Sequence, residues 1–428
     1  MAGQHSKPVL VIGDDMRIFL SVVRALGRAG KTVHALPFEP GAPALSSRYI
    51  TRIAVAPGYE ADPQGWQNAL DRLLDTESFE LVIPCGDPAI IALDRGRDRF
   101  SGQRLAIPAA DAMQMFFDKE QTHGLCDDLG IPHVPWARLA PADTAESLIA
   151  RFGLPLVLKP RRSFWGDTGR AREIVEIVDD RRHLEHCLAT IPDRSRYLVE
   201  GYFEGSGTGV SVLSSNGTIL QAFQHRRLRE GRGGCSSYRI SEAVNPGLRQ
   251  AAERICFRTK HTGVCMFEIR VNRKTGKWVL IEINARFWGS LPLPLALGLD
   301  FPNRLHDLLV HGRSSDGEAY PAGIRSRNLL LDANNLLKRL RRDRLAGFGR
   351  WLADAAGFAA QPLRWLTGGE KIDSFAADDM VPALREIGSV LRRMTWVRNT
   401  EAEPKCSAPR RPMDGTEAVR NVSPRPLR

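Results

Sequence analysis

Glu282, Asn284 and Arg286 stand two residues apart in Lys277-Trp278-Val279-Leu280-Ile281-Glu282-Ile283-Asn284-Ala285-Arg286, an apolar and β-branched run. Alternate side chains of a strand share a face. The carboxylate, the amide and the guanidinium therefore come out on one side, with Val279, Ile281 and Ile283 on the other. Polar groups on a buried strand face are costly unless something fills the space above them. Hard oxygen donors beside a guanidinium suit Mg²⁺ and a phosphate.

The preceding run, Gly263 to Val271, is also strand-like, and Asn272-Arg273-Lys274-Thr275-Gly276 joins the two as a hairpin turn. With Asn272 opposite Trp278, Glu268 falls opposite Glu282. Like charges facing across a hairpin are destabilising. A divalent cation between them reverses that sign. The plainer alternative turns one glutamate to solvent or pairs it with Arg270.

Other elements must bring partners to this hairpin. Lys159 ends the apolar strand Leu154 to Pro160, where a buried ammonium needs a counter-charge. The next loop, Arg161 to Arg170, offers cations and backbone N–H groups to an anion. It lacks the Gly-Lys-Ser/Thr of a P-loop. Upstream, Val9 to Ile12, a helix over Met16 to Ala29 and a strand over Thr32 to Leu36 form an opening β-α-β unit. Asp14-Asp15 follows Gly13 where a dinucleotide fingerprint would need Gly-x-x-Gly, so the unit is Rossmann-like without a case for NAD. From about Ile324 to Val397 the pattern is helical and amphipathic, with Trp351, Trp365 and Trp396 read as packing residues. The Pro- and Arg-rich tail beyond Arg398 reads as disordered.

The 428 residues allow two or three domains, and 43% hydrophobic with 25% charged residues is ordinary globular composition. No run is apolar over 18 residues, and Asp14 and Asp15 interrupt the first apolar stretch, which argues against a membrane span and a secretory signal. Seven cysteines without CxxC spacing fit a reducing cytoplasm and no structural zinc. The net charge of +11 lies partly in Lys338 to Arg344 and the tail. No zinc-finger spacing or RNA motif accompanies it, so nucleic acid is not the expected partner. Basic and apolar faces coexist in the C-terminal helices, a pattern open to peripheral membrane contact that nothing else in the sequence supports.

The order of these pieces resembles the ATP-grasp superfamily over roughly Pro8 to Gly312. The matching segments are Asp118-Lys119, Leu156 to Pro160, Leu198-Val199-Glu200-Gly201-Tyr202-Phe203-Glu204-Gly205 and Glu282-x-Asn284-x-Arg286. The branch it looks most like holds carbamoyl-phosphate synthase large chains and carboxylate–amine ligases. The resemblance implies a mixed α/β and α+β chain. Residues 1–115 would be a Rossmann-like domain, 116–313 a two-subdomain ATP-grasp fold, 314–397 a helical appendage and 398–428 a disordered tail. It implies ATP as cofactor with Mg²⁺, or Mn²⁺ in its place. Lys119 and Lys159 would hold phosphates, and Glu200, Tyr202 and Phe203 would line the adenine hinge, largely through backbone groups. Glu268, Glu282 and Asn284 would hold the metal, and Arg286 would neutralise the γ-phosphate. The loop from Ser163 to Arg170 would close over the phosphates. Arg226, in His225-Arg226-Arg227 near Gly233-Gly234, is the candidate on the carboxylate and acceptor side. Glu204 or Thr208 is left to meet the ribose. The expected activity joins a small-molecule carboxylate to an acceptor amine through an acyl phosphate, in a protein open to homodimer formation. A non-catalytic nucleotide sensor or scaffold is the alternative.

Overall fold

Both faces of the run Val9–Ile12 are buried in the computed structural model, which describes residues 7–162, 175–230, 236–315, 317–342 and 348–401. Such burial belongs to a parallel strand with helices on both sides. The first elements are β1 (Val9–Ile12), α1 (Phe19–Arg28), β2 (Val33–Leu36), β3 (Ile50–Ile53), α2 (Pro63–Thr76), β4 (Leu81–Pro84) and α3 (Asp87–Arg95). Their strands form a parallel sheet in the order β3-β2-β1-β4. Val9 and Val11 belong to one apolar cluster with Val22 and Leu26 of α1. Leu10 and Ile12 belong to another with Trp66, Leu70 and Leu93 of α2 and α3. The β1–α1 turn is closed by Asp15, whose carboxylate accepts from the N–H groups of Arg17, Ile18 and Phe19 at 2.9, 2.7 and 3.1 Å. A capping carboxylate thus stands where a dinucleotide fold would need glycines.

The next elements are α4 (Ala110–Phe117), α5 (Lys119–Leu129), β5 (Trp136–Arg138), α6 (Ala145–Phe152), β6 (Leu156–Pro160), β7 (Glu176–Val178), α7 (Arg181–Thr190) and β8 (Tyr197–Gly201). Here the strands form an antiparallel sheet, β5-β8-β6-β7. Leu156, Leu158 and Val199 pack with Leu148 of α6 and Leu184 and Leu188 of α7.

A larger sheet is built from β9 (Ser206–Ser215), β10 (Thr218–Glu230), β11 (Ser236–Glu242), α8 (Pro246–Thr259), β12 (Gly263–Val271) and β13 (Trp278–Asn284). Then come α9 (Pro292–Ala296), α10 (Phe301–His311), β14 (Arg325–Arg327), α11 (Leu329–Arg342), α12 (Phe348–Ala359), α13 (Gln361–Leu366), β15 (Glu370–Ile372) and α14 (Val381–Glu401). The seven strands run β13-β12-β9-β10-β11-β14-β15. Alternation along β9 and β12 divides the sheet's faces. Val210, Val212, Cys265, Phe267 and Ile269 pack with Leu248 and Ile255 of α8. Leu213, Val264 and Met266, with Phe223 of β10, join Phe301 and Leu305 of α10 and the core beneath α1.

The C-terminal region is mainly helical, as expected, but it also adds β14 and β15 to the large sheet, where Ser326, Arg327 and Glu370 are fully buried. Arg325-Ser326-Arg327 carries no apolar alternation from which a strand could be read. Trp365, read as a packing residue, is 54% exposed instead; the side chains of Trp351 and Trp396 lie outside the described ones. The chain divides into two units, Met1–Ile387 and Gly388–Arg428. The described part of the second is the helix that runs to Glu401, and residues 402–428 lie outside the described residues. Among the described residues no helix is long and apolar enough to cross a membrane.

Candidate active site

The hairpin of β12 and β13 puts Glu268 directly opposite Glu282, with Met266 opposite Asn284. The route differs from the straight register expected. Val271, not Asn272, pairs with Trp278, and an irregularity between Glu268 and Ile269 leaves Ile281 without a partner in the ladder. A bulge inserts one residue and re-aims the side chains beyond it. Core packing on β13 consequently falls to Leu280 and Ile283, while Ile281 is only half-buried. The unpaired Ile281 carbonyl accepts a hydrogen bond from Lys159 Nζ at 2.9 Å. Glu268 Oε1 accepts from Arg227 Nη1 at 2.8 Å rather than from Arg270. The Arg270 guanidinium goes to the Gly205 carbonyl and toward Glu230. The Glu282 carboxylate, half-buried, makes no hydrogen bond or ion pair among the described residues.

Lys159 reaches this strand from the smaller sheet. Its ammonium lies 3.3 Å from Glu200 Oε1, which also meets His123 Nε2 at 2.9 Å. All three side chains are almost fully buried, and His123 stacks on Trp136 with ring centroids 5.1 Å apart. Burial alone would raise the Glu200 carboxyl, but Lys159 and His123 outweigh it and hold the group down at about 2. The Glu200 side chain is therefore committed to Lys159. Backbone beyond the paired residues of β8, at Tyr202 and Phe203, is the part of the hinge outside the ladder. The Arg270 guanidinium carbon lies over the Tyr202 ring, 5.9 Å from its centre. Lys119 is buried in the first turn of α5, which Asp118 caps, and its N–H donates to the Arg161 carbonyl at 3.0 Å.

Arg286 is held from the N-terminal domain. It donates to both carboxylate oxygens of Asp87 in the first turn of α3, and to Asn284 Oδ1 at 3.1 Å. Burial works against its charge, and Asp87 with Glu282 more than restores it. Arg226 does not reach the carboxylates. It bonds Glu242 at 2.7 Å, while Arg227, one residue on and so on the opposite face, takes the place by Glu268. His225 shares that face. It is buried, its Nδ1 is 3.4 Å from Ser290 Oγ, and burial together with Arg227 and Arg239 pushes it well below the usual histidine range. His225, Gly209, Glu268 and Glu282 form one row across β10, β9, β12 and β13.

Gly209 and Gly207 make the row passable. A Cβ on Gly209 would lie 2.3 Å from His225 Cε1, and one on Gly207 would lie 2.0 Å from Glu230 Oε1 and 2.8 Å from Arg227 Cδ. Alternate glycines inside a strand signal close approach, and they are the sequence trace of His225 and Arg227 crossing β9. His123 and Asp87 left no comparable trace. The loop over Ser163 to Arg170 and the Gly233-Gly234 pair lie outside the described residues.

The donor set fits a hard cation: two carboxylates face each other, one without a partner, with an amide oxygen one step along the strand. Lys159 stands between the smaller sheet and the large one, its ammonium held by the Glu200 carboxylate and the Ile281 carbonyl.

No family model matches the chain. It is 22% identical over 303 residues to D-aspartate ligase of Enterococcus faecium, covering 65% of this chain and 70% of that protein. It is 26% identical over 164 residues to the carbamoyl phosphate synthase large chain of Thermus thermophilus, covering 38% of this chain but only 16% of that one. Among solved structures, an ADP complex of N5-carboxyaminoimidazole ribonucleotide synthetase superposes with a TM-score of 0.58 at 13% identity, over 78% of this chain and 86% of that chain. The fold is that of the ATP-grasp proteins. Within that fold the chain resembles the carboxylate–amine ligases, and the carbamoyl phosphate synthase large chain is among the proteins it is similar to.

Proposed function

We propose that the chain is a Mg²⁺-dependent ligase that uses ATP to activate a small-molecule carboxylate for attack by an amine. The observation that carries this reading is the Glu268–Glu282 pair, with Glu282 free of any hydrogen bond or ion pair among the described residues. A protein that only sensed nucleotide would have no use for two facing carboxylates beside a shielded arginine. The activities named for the relatives support the same class.

Glu268, Glu282 and Asn284 would hold Mg²⁺, which supplies charge neutralisation between two reacting anions. Lys119 and Lys159 would bind phosphate oxygens, and the backbone at Tyr202 and Phe203 would meet adenine. A substrate carboxylate oxygen bonds to the γ-phosphorus as the bond to ADP breaks. The amine nitrogen then attacks the acyl carbon, phosphate leaves, and the nitrogen gives up a proton. Arg286, fixed by Asp87 and Asn284, faces the transferring phosphoryl group without having to reorganise. Its role is alignment and charge stabilisation, and no side-chain nucleophile takes part. Cytoplasmic placement belongs to this reading and is supported by the described cysteines, all free and buried. A homodimer is compatible with it.

The test is phosphate release in a screen of carboxylates paired with amines. ADP formation that needs both Mg²⁺ and an acid, with a product joined through an amide, is expected. Full turnover by Glu282→Ala would overturn the assignment.

A further inference from the structure

Away from the strand hairpin, a second set of metal-ligating side chains gathers where α10 ends. A nitrogen of His306, a nitrogen of His311 and a carboxylate oxygen of Asp307 lie within 4.8 Å of one another. Helical spacing accounts for this. Asp307 and His311 are four residues apart and stack on one side of the helix, with His306 next to Asp307. The rings of His306 and His311 are 5.5 Å apart, centre to centre. His306 is fully buried, Asp307 is partly exposed and His311 is exposed. The three side chains thus reach from the core to the surface, with solvent on one side. Gly312 ends the helix in the left-handed conformation, at a φ of 64°. The last carbonyls of a helix carry partial negative charge, which favours a cation there.

The two nitrogens of His306 are placed differently. Nε2 is 3.2 Å from Glu80 Oε2, in the residue leading into β4, an ion-pair contact rather than an aligned hydrogen bond. Nδ1 faces Asp307 Oδ1 at 3.7 Å, too far for a hydrogen bond, and finds no other partner. A carboxylate beside Nε2 favours the tautomer with its proton there, so Nδ1 carries a lone pair. A buried lone pair aimed at a carboxylate oxygen is repelled unless a proton or a cation lies between them. An acid behind one imidazole nitrogen, with further ligands in front of the other, is the usual setting of a metal-binding histidine. The charge of Lys31 also reaches His306 and opposes a cation, while those of Glu80 and Asp307 favour one. Two imidazole nitrogens and one carboxylate oxygen suit Zn²⁺. The all-oxygen set of Glu268, Glu282 and Asn284 suits Mg²⁺ instead.

We infer that His306 Nδ1, Asp307 and His311 bind a divalent transition metal of the Zn²⁺ type, with water completing its shell and Glu80 as a positioning residue. The site does not depend on the ligase reading. It lies on a seam: α10 also meets α1, where Asn303 Nδ2 donates to the Ala25 carbonyl at 2.9 Å, and Glu80 belongs to the first domain. The metal fixes the end of α10 against that domain through His306 and Glu80, and its role is structural. Cysteine spacing gives no sign of this site, since no cysteine takes part in it.

The experiment uses the full chain without a histidine tag, stripped by a chelator and then supplied with Mg²⁺ and ADP. Zn²⁺ is titrated by calorimetry and by competition with a colorimetric chelator, and the thermal midpoint is read alongside. The wild type is expected to take up one Zn²⁺ and to melt higher with it. His311→Ala and Asp307→Asn alter side chains that reach solvent, so both are expected to fold. Each should bind Zn²⁺ at least about tenfold more weakly and lose the gain in midpoint, and Glu80→Gln should weaken binding about 10–100-fold. Glu282→Gln should leave Zn²⁺ uptake unchanged. A wild type that takes up no Zn²⁺, with a proton satisfying His306, overturns the inference. So does uptake that His311→Ala and Asp307→Asn leave intact, or that Glu282→Gln alone removes, which would put the metal on the strand hairpin. None of these readings involves ATP turnover, so the site and the ligase stand or fall separately.

Discussion

At the scale of single residues, Glu282 is a group the fold tolerates rather than uses. Its carboxylate faces Glu268 and makes no hydrogen bond or ion pair among the described residues, with the charge of Arg286 as its offset. Facing like charges are destabilising. Glu282→Gln should therefore leave the metal-free thermal midpoint unchanged or raise it. ADP formation should fall at least about a hundredfold, in line with the ~3 kcal/mol that one preorganised charge contact supplies. Mg²⁺ should also cease to raise the midpoint. A lowered midpoint with turnover intact would make Glu282 structural. Glu200 is the opposite case. Its folded carboxyl titrates at about 2 because Lys159 and His123 outweigh its burial, while an unfolded glutamate titrates near ~4.3. The depressed group contributes stability in full above the unfolded value and loses it as pH falls from there toward 2. Glu200→Gln should flatten acid unfolding in that window. It should also destabilise the protein at pH 7, by about 3–5 kcal/mol, because Lys159 stays buried without its counter-charge. An unaltered acid transition would refute this. Glu282, Asn284 and Lys159 were legible in the sequence because each is a polar residue breaking an apolar strand pattern. His123 and Asp87 were not, because their partners come from elements distant in sequence and nothing local marks them.

Elements decide which of these groups can meet. The β12–β13 hairpin was readable from its turn and its two apolar runs, and so was the facing glutamate pair. The bulge at Ile281 was not readable, since an apolar run carries no sign of a skipped pairing. The glycines of β9 carry the clearer message. His225 is buried against Gly209, and the Cβ of an alanine there would sit 2.3 Å from its ring. Gly209→Ala should cost about 1–3 kcal/mol, the usual range for overpacking, and should displace the ring that meets Ser290. The double variant Gly209→Ala/His225→Ala should recover much of that loss, because the colliding ring is gone. Chemical denaturation of the cycle measures the coupling. Additive losses would mean that Gly209 is required for backbone reasons and not to clear the row to Glu268.

Across the whole molecule, the C-terminal region supplies the acids for arginines of the large sheet. Arg229 pairs with Asp332 at 2.5 Å, Arg239 with Asp373 at 2.6 Å, and Arg327 with Glu370 and Asp332 at 2.7 Å each, all with little or no exposure. A helical appendage read from amphipathic periodicity looks removable, and a cut after Arg313 would then separate ATP turnover from any other role. The structure changes that expectation. Such a cut removes Asp332, Glu370 and Asp373 together and strips β14 and β15 from the sheet, leaving Arg229 and Arg239 buried without their acids. Losing one partner of a buried pair costs about 3–5 kcal/mol, and two such losses approach the ~5–15 kcal/mol that holds a typical domain folded. Residues 1–313 are therefore expected to be insoluble or to lack a cooperative thermal transition. A chain ending at Ile387, the last residue of the first unit, keeps every one of these acids and should retain both the transition and Mg²⁺-dependent nucleotide binding. Side-by-side expression with thermal melts and nucleotide titration decides the matter. A folded, nucleotide-binding 1–313 fragment would show that the buried arginines can find other partners and that the C-terminal acids are dispensable to the grasp fold.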